Sequence, residues 1–390
     1  MELLDAATSE DQQRRVAGGL RAQGLHAGDR VAMATSSTGS MLSAVLGALR
    51  VGIVPVILNG ALLPRERAAL LGDARPDLEI DDGDLARLLE HAPTDLAPVP
   101  LARPMHYTSG TSGTPKGVWS GVLDEGEAQA LFDEEADLWG FQPGDRHLVC
   151  SPLHHSAPIR FAGGTLLRGG SVVIPGPFDA ARAMAAIVEH RPTSTFMVPS
   201  HLQRLFALGD LPDLSSFRLL AHAGAPCPPP LKRAAIDAFP IDSVWEFYGS
   251  TEGQFTACRA DEWLARPGTV GRARPGRQLA IADDGTIWCS VPPHARFVYW
   301  DDPVRTARAW RDVPGSDRAW FTVGDLGRLD DDGYLWLDGR RDDLIISGGV
   351  NVYPVEVEQV LAHAPGVAQV AVFGVEDERW GQRVCAAVVG

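Results

Sequence analysis

The chain has 390 residues, 45% of them apolar, and its 50 acidic against 35 basic side chains leave a net charge of −15. That is enough material for more than one hydrophobic core, and the acidic balance argues against a nucleic-acid surface or attachment to an anionic membrane. No apolar run reaches the roughly 20 residues of a membrane span, the N-terminus lacks a basic and apolar leader, and five scattered cysteines form no C-x-x-C pair, which together predict a cytoplasmic protein without a thiolate metal site.

Taken in order, Thr8–Gln23 reads as a surface helix, Gly28–Met33 as a turn and apolar strand, Met41–Arg50 as a helix and Ile53–Leu58 as a buried strand. Strand, helix and strand in succession predict a parallel sheet. Tyr107–Val118 interrupts this pattern with three glycines, five Ser/Thr hydroxyls and Lys116, a composition unsuited to a helix or a packed strand. Gly110, Gly113 and Gly117 permit close backbone approach, so that successive N–H groups can converge on an anion, each charge-assisted bond contributing roughly 1.5–3 kcal/mol. A flexible linker has the same small residues, but Tyr107 and Pro115 stiffen this one and a linker has no use for Lys116. The spacing is neither that of the G-x-x-x-x-G-K-[ST] loop nor that of the G-x-S-x-G elbow.

Leu123–Leu138 reads as an acidic helix with a solvated face. Leu148–Pro158 is a strand ending in His154 and His155, at the edge where open α/β sheets bind ligands; no third ligand at suitable spacing makes the pair a metal site. The alternation continues through Ser171–Ile174 (strand), Asp179–His190 (helix), Ser194–Val198 (strand), His201–Leu208 (helix) and Arg218–Ala221 (strand). A Pro-rich turn, Ala223–Pro230, precedes the helix Leu231–Ala238. Val244–Gly253 then runs a strand into a glycine turn presenting Thr251 and Glu252, a hydroxyl and a carboxylate suited to a phosphate and its Mg2+. Gly268–Gly276 reads as turns entering a β-rich region. Asp325, after Gly324, can accept from two vicinal hydroxyls. Asp330–Gly333 has consecutive rather than alternating acids and is read as a hairpin turn, not a calcium loop. The charged run Gly339–Asp343 is a plausible linker, followed by a helix (Pro354–His363) and two strands (Val367–Val375 and Val384–Gly390).

The Tyr107–Val118 loop, the Val244–Gly253 turn, the Trp320–Gly327 segment and the Gly339–Glu358 run, in this order, closely resemble the signatures of the AMP-forming acyl-adenylating enzymes: acyl- and aryl-CoA synthetases, peptide-synthetase adenylation domains and luciferases. The resemblance implies an α/β protein with a large N-terminal domain of parallel βα layers plus a β-rich subdomain (1–338), a hinge (339–343) and part of a small, mobile α+β domain (344–390). It implies ATP, Mg2+ and coenzyme A as cofactors and a small carboxylic acid as substrate. By the same resemblance Thr108, Ser109, Gly110, Thr111, Ser112, Gly113, Thr114 and Lys116 face the phosphates, and Gly224, Ala225 and Pro226 wall the adenine. Tyr248, next to Gly249, stacks on that base, Thr251 contacts the α-phosphate, Glu252 binds Mg2+, and Asp325 and Arg340 hold the ribose. His155 borders the acyl pocket, Asp342 is the hinge, and Gly348 and Gly349 flank the pantetheine channel.

Within that family Pro152–Pro158 and Trp245–Gly253 look most like acyl-CoA synthetases of the fatty-acid type, and no Asp lies near Ser156 to hold an amino-acid ammonium. A carrier protein or an amine as acceptor, or a degenerate nucleotide-binding protein, are the competing readings; the acid and the oligomeric state are not legible. The family's C-terminal lysine has no counterpart, since no lysine follows Lys232. With an abbreviated front end and an apolar last run, Val384–Val389, this predicts a chain cut short or naturally truncated, with adenylation slowed on the order of 10²–10³-fold.

Overall fold

Short apolar segments too hydrophobic to face water set the architecture. In the computed structural model, which describes residues 1–108, 116–312, 318–340, 343, 345–347, 350–362, 364–377 and 380–390, an eight-stranded sheet runs in the order Glu2–Asp5, Ser171–Ile174, Arg146–Val149, Ser194–Met197, Leu219–His222, Val244–Gly249, Gln254–Arg259 and Arg272–Ala273. The central five strands are parallel. Both faces are covered by helices, which is why Ser194–Met197 and Leu219–His222 are buried at every position. The expected helix near Thr8 starts at Ala6, because the Asp5 carboxylate accepts from the Thr8 N–H at 2.8 Å. The residues before it, Glu2–Asp5, form an antiparallel edge strand on Ser171–Ile174.

A second, three-stranded parallel sheet places Arg30–Met33 between Val54–Ile57 and Leu78–Ile80. Its crossover helix, Gly39–Leu49, is buried on almost all sides, as a helix apolar around its whole circumference must be. Gln278–Ile281, Ile287–Val291, Trp310–Asp312 and Ala319–Phe321 form an antiparallel sheet, the β-rich region anticipated after Gly276. Asp330–Gly333 is a hairpin turn, the Asp330 carboxylate accepting from the Tyr334 N–H at 2.8 Å.

Two expectations change. The strand Leu335–Arg340 carries the chain through Gly339 and Arg340, which pair with Leu326 and Asp325, so the charged run is not all linker. The helix Glu125–Trp139 does not present a uniformly solvated acidic face: it buries Ala128, Ala136 and Trp139 and turns Glu135 inward, 14% exposed, onto arginines from elsewhere in the chain. The C-terminal residues form a four-stranded antiparallel sheet in the order Val350–Val352, Ile345–Ser347, Gly381–Val389 and Gln369–Asp377, with the helix Pro354–Leu361 begun by its proline.

Candidate active site

Parallel strands open at their C-terminal ends, and two neighbouring ones deliver the Gly224–Pro226 and Tyr248–Glu252 residues to one edge. Leu219–His222 pairs in register with Val244–Glu246, so the Gly224–Pro226 turn and the Ser250–Gly253 turn leave the sheet side by side. Gly224 has φ 88°, a conformation that favours glycine. At Gly249 the ladder shifts register, and a Cβ there would lie 2.8 Å from both Gln254 Cα and the Gly253 carbonyl oxygen. The tight turn therefore excludes any side chain at 249, and the Ser250 N–H closes it on the Gly253 carbonyl at 2.8 Å.

Behind this edge, the helix Pro229–Ala238 sends Lys232 completely into the interior, against His222 Nε2 and 3.4 Å from Glu246 Oε2. Burial, then the Lys232 charge, pushes the His222 imidazole far below its usual range, and burial raises the Glu246 carboxyl. The pair thus ties the helix after one turn to the strand leading into the other.

Glu252 is 4% exposed; its Oε1 accepts from the Tyr299 hydroxyl at 2.9 Å and lies 3.6 Å from Lys116 Nζ. Lys116 also sits 4.6 Å over the Tyr299 ring. Burial, reinforced by Glu252, drives the Tyr299 phenol upward, so it stays a donor. Mg2+ usually takes one or two carboxylates plus substrate phosphates, and one buried carboxylate on a glycine turn next to the Thr251 hydroxyl fits that need. Among the described residues no group of three or more His, Cys, Asp or Glu could hold a metal alone. Asp325, 7% exposed, accepts from the Tyr248 hydroxyl at 2.5 Å, and the Tyr248 ring packs 4.8 Å from Phe255. Asp325 pairs in register with Arg340, and Thr108 with Lys116, through their backbones. Ser109, Gly110, Thr111, Ser112, Gly113, Thr114, Asp342, Gly348 and Gly349 lie outside the described residues.

A cavity adjoins Thr251, between the helices Glu125–Trp139 and Ser156–Leu167, with Leu49, Ala128, Phe132, Phe141, Ile159 and Leu167 among its apolar walls. The histidine on its wall is His106, buried and held down at about 4 by that burial and by His155. His155 precedes the helix Ser156–Leu167, its ring 4.2 Å from that of His154 and tilted 49° to it; Ser156, not His155, lines the cavity.

Sequence reasoning missed the charged groups of that cavity: Arg103, Arg160, Arg274 and Arg277. Arg274 Nη1 lies 2.6 Å from Glu135 Oε1 and Arg277 Nη2 2.7 Å from Glu134 Oε2. Arg160 Nε is 3.2 Å from Glu135 Oε2, and its guanidinium lies 5.5 and 5.3 Å from the Phe161 and Phe247 rings. Among the described residues Arg103 donates to backbone carbonyls alone, of Glu252 at 3.5 Å and Arg296 at 3.4 Å. Burial would raise the Glu135 carboxyl, but Arg274 and Arg160 outweigh it and hold it at about 2. Burial, with Arg277 and Arg160 adding to it, pushes Arg103 down to about 10. The available signal was three arginines in Arg272–Arg277, a segment otherwise made of turn residues.

A buried carboxylate on a glycine turn at the sheet's C-terminal edge, with a cavity beside it, is the arrangement of an enzyme acting on a small molecule, and the chain belongs to the AMP-binding enzyme family. The family model matches residues 7–293, and that of the AMP-binding enzyme C-terminal domain matches 356–390. The chain is 31% identical to the indoleacetate–CoA ligase of Aromatoleum aromaticum, over 96% of this chain and 81% of that protein. It is 32% identical, over the same shares, to a long-chain-fatty-acid–CoA ligase of Mycobacterium tuberculosis. The o-succinylbenzoate CoA synthetase of Bacillus subtilis, solved with its acyl-adenylate intermediate, superposes with a TM-score of 0.83 at 27% identity, covering 98% of this chain and 82% of that one.

Proposed function

We propose that this chain is an AMP-forming acid–CoA ligase. A carboxylate oxygen attacks the α-phosphorus of ATP, the bond to the β-phosphate oxygen breaks, and acyl-AMP and pyrophosphate result. The sulfur of coenzyme A then attacks the acyl carbon, the acyl–phosphate bond breaks, AMP leaves, and the thiol proton passes to solvent. The observation that carries this reading is the meeting, at one sheet edge, of buried Glu252, Thr251 and the Tyr248–Asp325 pair beside an apolar cavity, in a chain resembling CoA ligases over 96% of its length.

In this reading Glu252 holds Mg2+, which neutralises charge on the leaving pyrophosphate. Thr251 and Lys116, with the Thr108–Thr114 loop, face the phosphates, Asp325 and Arg340 take the ribose hydroxyls, and Gly224, Ala225, Pro226 and Tyr248 enclose the adenine. Asp342 serves as the hinge and Gly348 and Gly349 border the coenzyme A channel. The test is pyrophosphate release from MgATP across short, long and aromatic carboxylic acids, paired with the melting temperature. Saturating MgATP stabilises by about 2.7 kcal/mol at a hundredfold excess over its Kd. No release with any acid and no thermal shift would sink the proposal.

A further inference from the structure

The charges lining the cavity do not balance. Four guanidiniums, of Arg103, Arg160, Arg274 and Arg277, meet two carboxylates, of Glu134 and Glu135, and those carboxylates lie closest to Arg274 and Arg277. Glu252 does not restore the balance, because Lys116 already faces it. The excess falls on Arg103 and Arg160.

Arg160 is the more exposed of the two to a ligand's chemistry. It lines the cavity with 20% of its side chain exposed. Its contact with Glu135 is an ion pair outside hydrogen-bonding geometry, and its Nε and Nη2 find no acceptor among the described residues. Arg103 Nε and Arg274 Nε are likewise without one. Guanidinium N–H groups shielded from water without an acceptor are costly, and a guanidinium has no neutral form to retreat to. The rest of the cavity gives no reason to bring cations there if the guest were a simple fatty or aromatic acid, since Leu49, Ala128, Phe132, Ile159 and Leu167 would suffice. Two aromatic rings, Phe161 and Phe247, lie against the Arg160 guanidinium beside Glu135, and its Nε and Nη2 donors stay unmet and open to an incoming carboxylate.

We propose that the acid activated by this chain is a dicarboxylic acid with an apolar middle, one carboxylate reacting beside Thr251 and the second bound by Arg160 with Arg103 near it. The inference rests on the acid–CoA ligase reading. A forked guanidinium matches a carboxylate in two hydrogen bonds, and a hydroxyl or keto group could satisfy an N–H without answering the charge. Glu135 then acts as a positioning residue, holding Arg160 and Arg274 at the cavity wall.

The test compares acids matched in length on the full 390-residue chain: octanedioate against octanoate, and 1,4-phenylenediacetate against phenylacetate. Calorimetric Kd values with AMP present and kcat/KM from pyrophosphate release are both read. Each diacid should be favoured roughly 10- to 100-fold over its monoacid. In R160M that ratio should collapse towards one while MgATP still raises the melting temperature, which separates a lost subsite from a lost fold. R160K, which keeps the charge and loses the fork, should retain part of the ratio. Monoacids bound and activated as well as diacids, or an unchanged ratio in both variants, would overturn the proposal while leaving the ligase reading intact. Silence towards every acid together with no thermal response to MgATP would instead bring down the ligase reading, and this inference with it.

Discussion

The two ends of the site handle charge differently. At the nucleotide edge two buried carboxylates each face one lysine: Glu252 faces Lys116 and Glu246 faces Lys232. These are the only lysines in a chain whose other 33 basic residues are arginine. In the cavity, arginines outnumber carboxylates and share them. A compact ammonium suits a fixed one-to-one pair, whereas a planar guanidinium can share one carboxylate and still present donors to a ligand. The balanced end is thus built for a reaction that brings its own cation, and the unbalanced end for a guest that brings an anion.

The strongest way to break this comparison is to unbalance the balanced end. K232M should leave Glu246 buried without its cation and destabilise the fold by about 3–5 kcal/mol, read as the urea midpoint; a change under about 1 kcal/mol would mean that Glu246 is protonated in the native state. E252Q keeps shape and loses charge, so pyrophosphate release should fall on the order of 10²–10³-fold with an altered Mg2+ dependence. Turnover and metal dependence equal to the parent's would remove Glu252 from the metal site.

The crowded end offers a pH test. The folded-state carboxyl of Glu135 sits at about 2 against an ordinary 4.5, so its contribution, on the order of 3 kcal/mol, is complete above the unfolded value and is lost as pH falls from 4.5 towards 2. The melting temperature of E135Q should therefore be lower at pH 7 and fall less steeply than the parent's through that window; parallel curves would show that the arginines do not depend on this carboxylate. The smallest effect is expected at the nucleotide's ribose: D325A should weaken ATP binding about tenfold, as the loss of a charged acceptor does. Unchanged affinity by calorimetry would place the ribose elsewhere.

The alternation of apolar strands and helices from Arg146 to Gly249 was legible because a parallel sheet buries both faces, so its strands read as uniform apolar runs. The Asp330–Gly333 hairpin and the β-rich region after Gly276 were legible from turn chemistry, which is local. The Gly224–Pro226 turn was singled out only through the family resemblance; its place beside Thr251 and Glu252 comes from the parallel pairing of Leu220–His222 with Val244–Glu246. What escaped had its cause far away in the chain. The edge strand Glu2–Asp5 is four residues that acquire a ladder only from Ser171–Ile174. The strand character of Gly339 and Arg340 comes from pairing with Leu326 and Asp325.

The acidic helix shows the limit most clearly. Its sequence predicts a helix over Leu123–Leu138, observed as Glu125–Trp139, because helical periodicity is a property of neighbours three and four apart; the buried stripe of Ala128, Ala136 and Trp139 appears only in the fold. Whether Glu135 points to water or to a cavity depends on Arg160 and Arg274, which the tertiary fold brings from another helix and from the far side of the sheet. By itself the sequence determined the central βα elements, the local turns and the family. Only the tertiary structure decided which charges are matched and which are left for a ligand, because electrostatic balance is settled by distance in space and by burial, and neither is encoded locally.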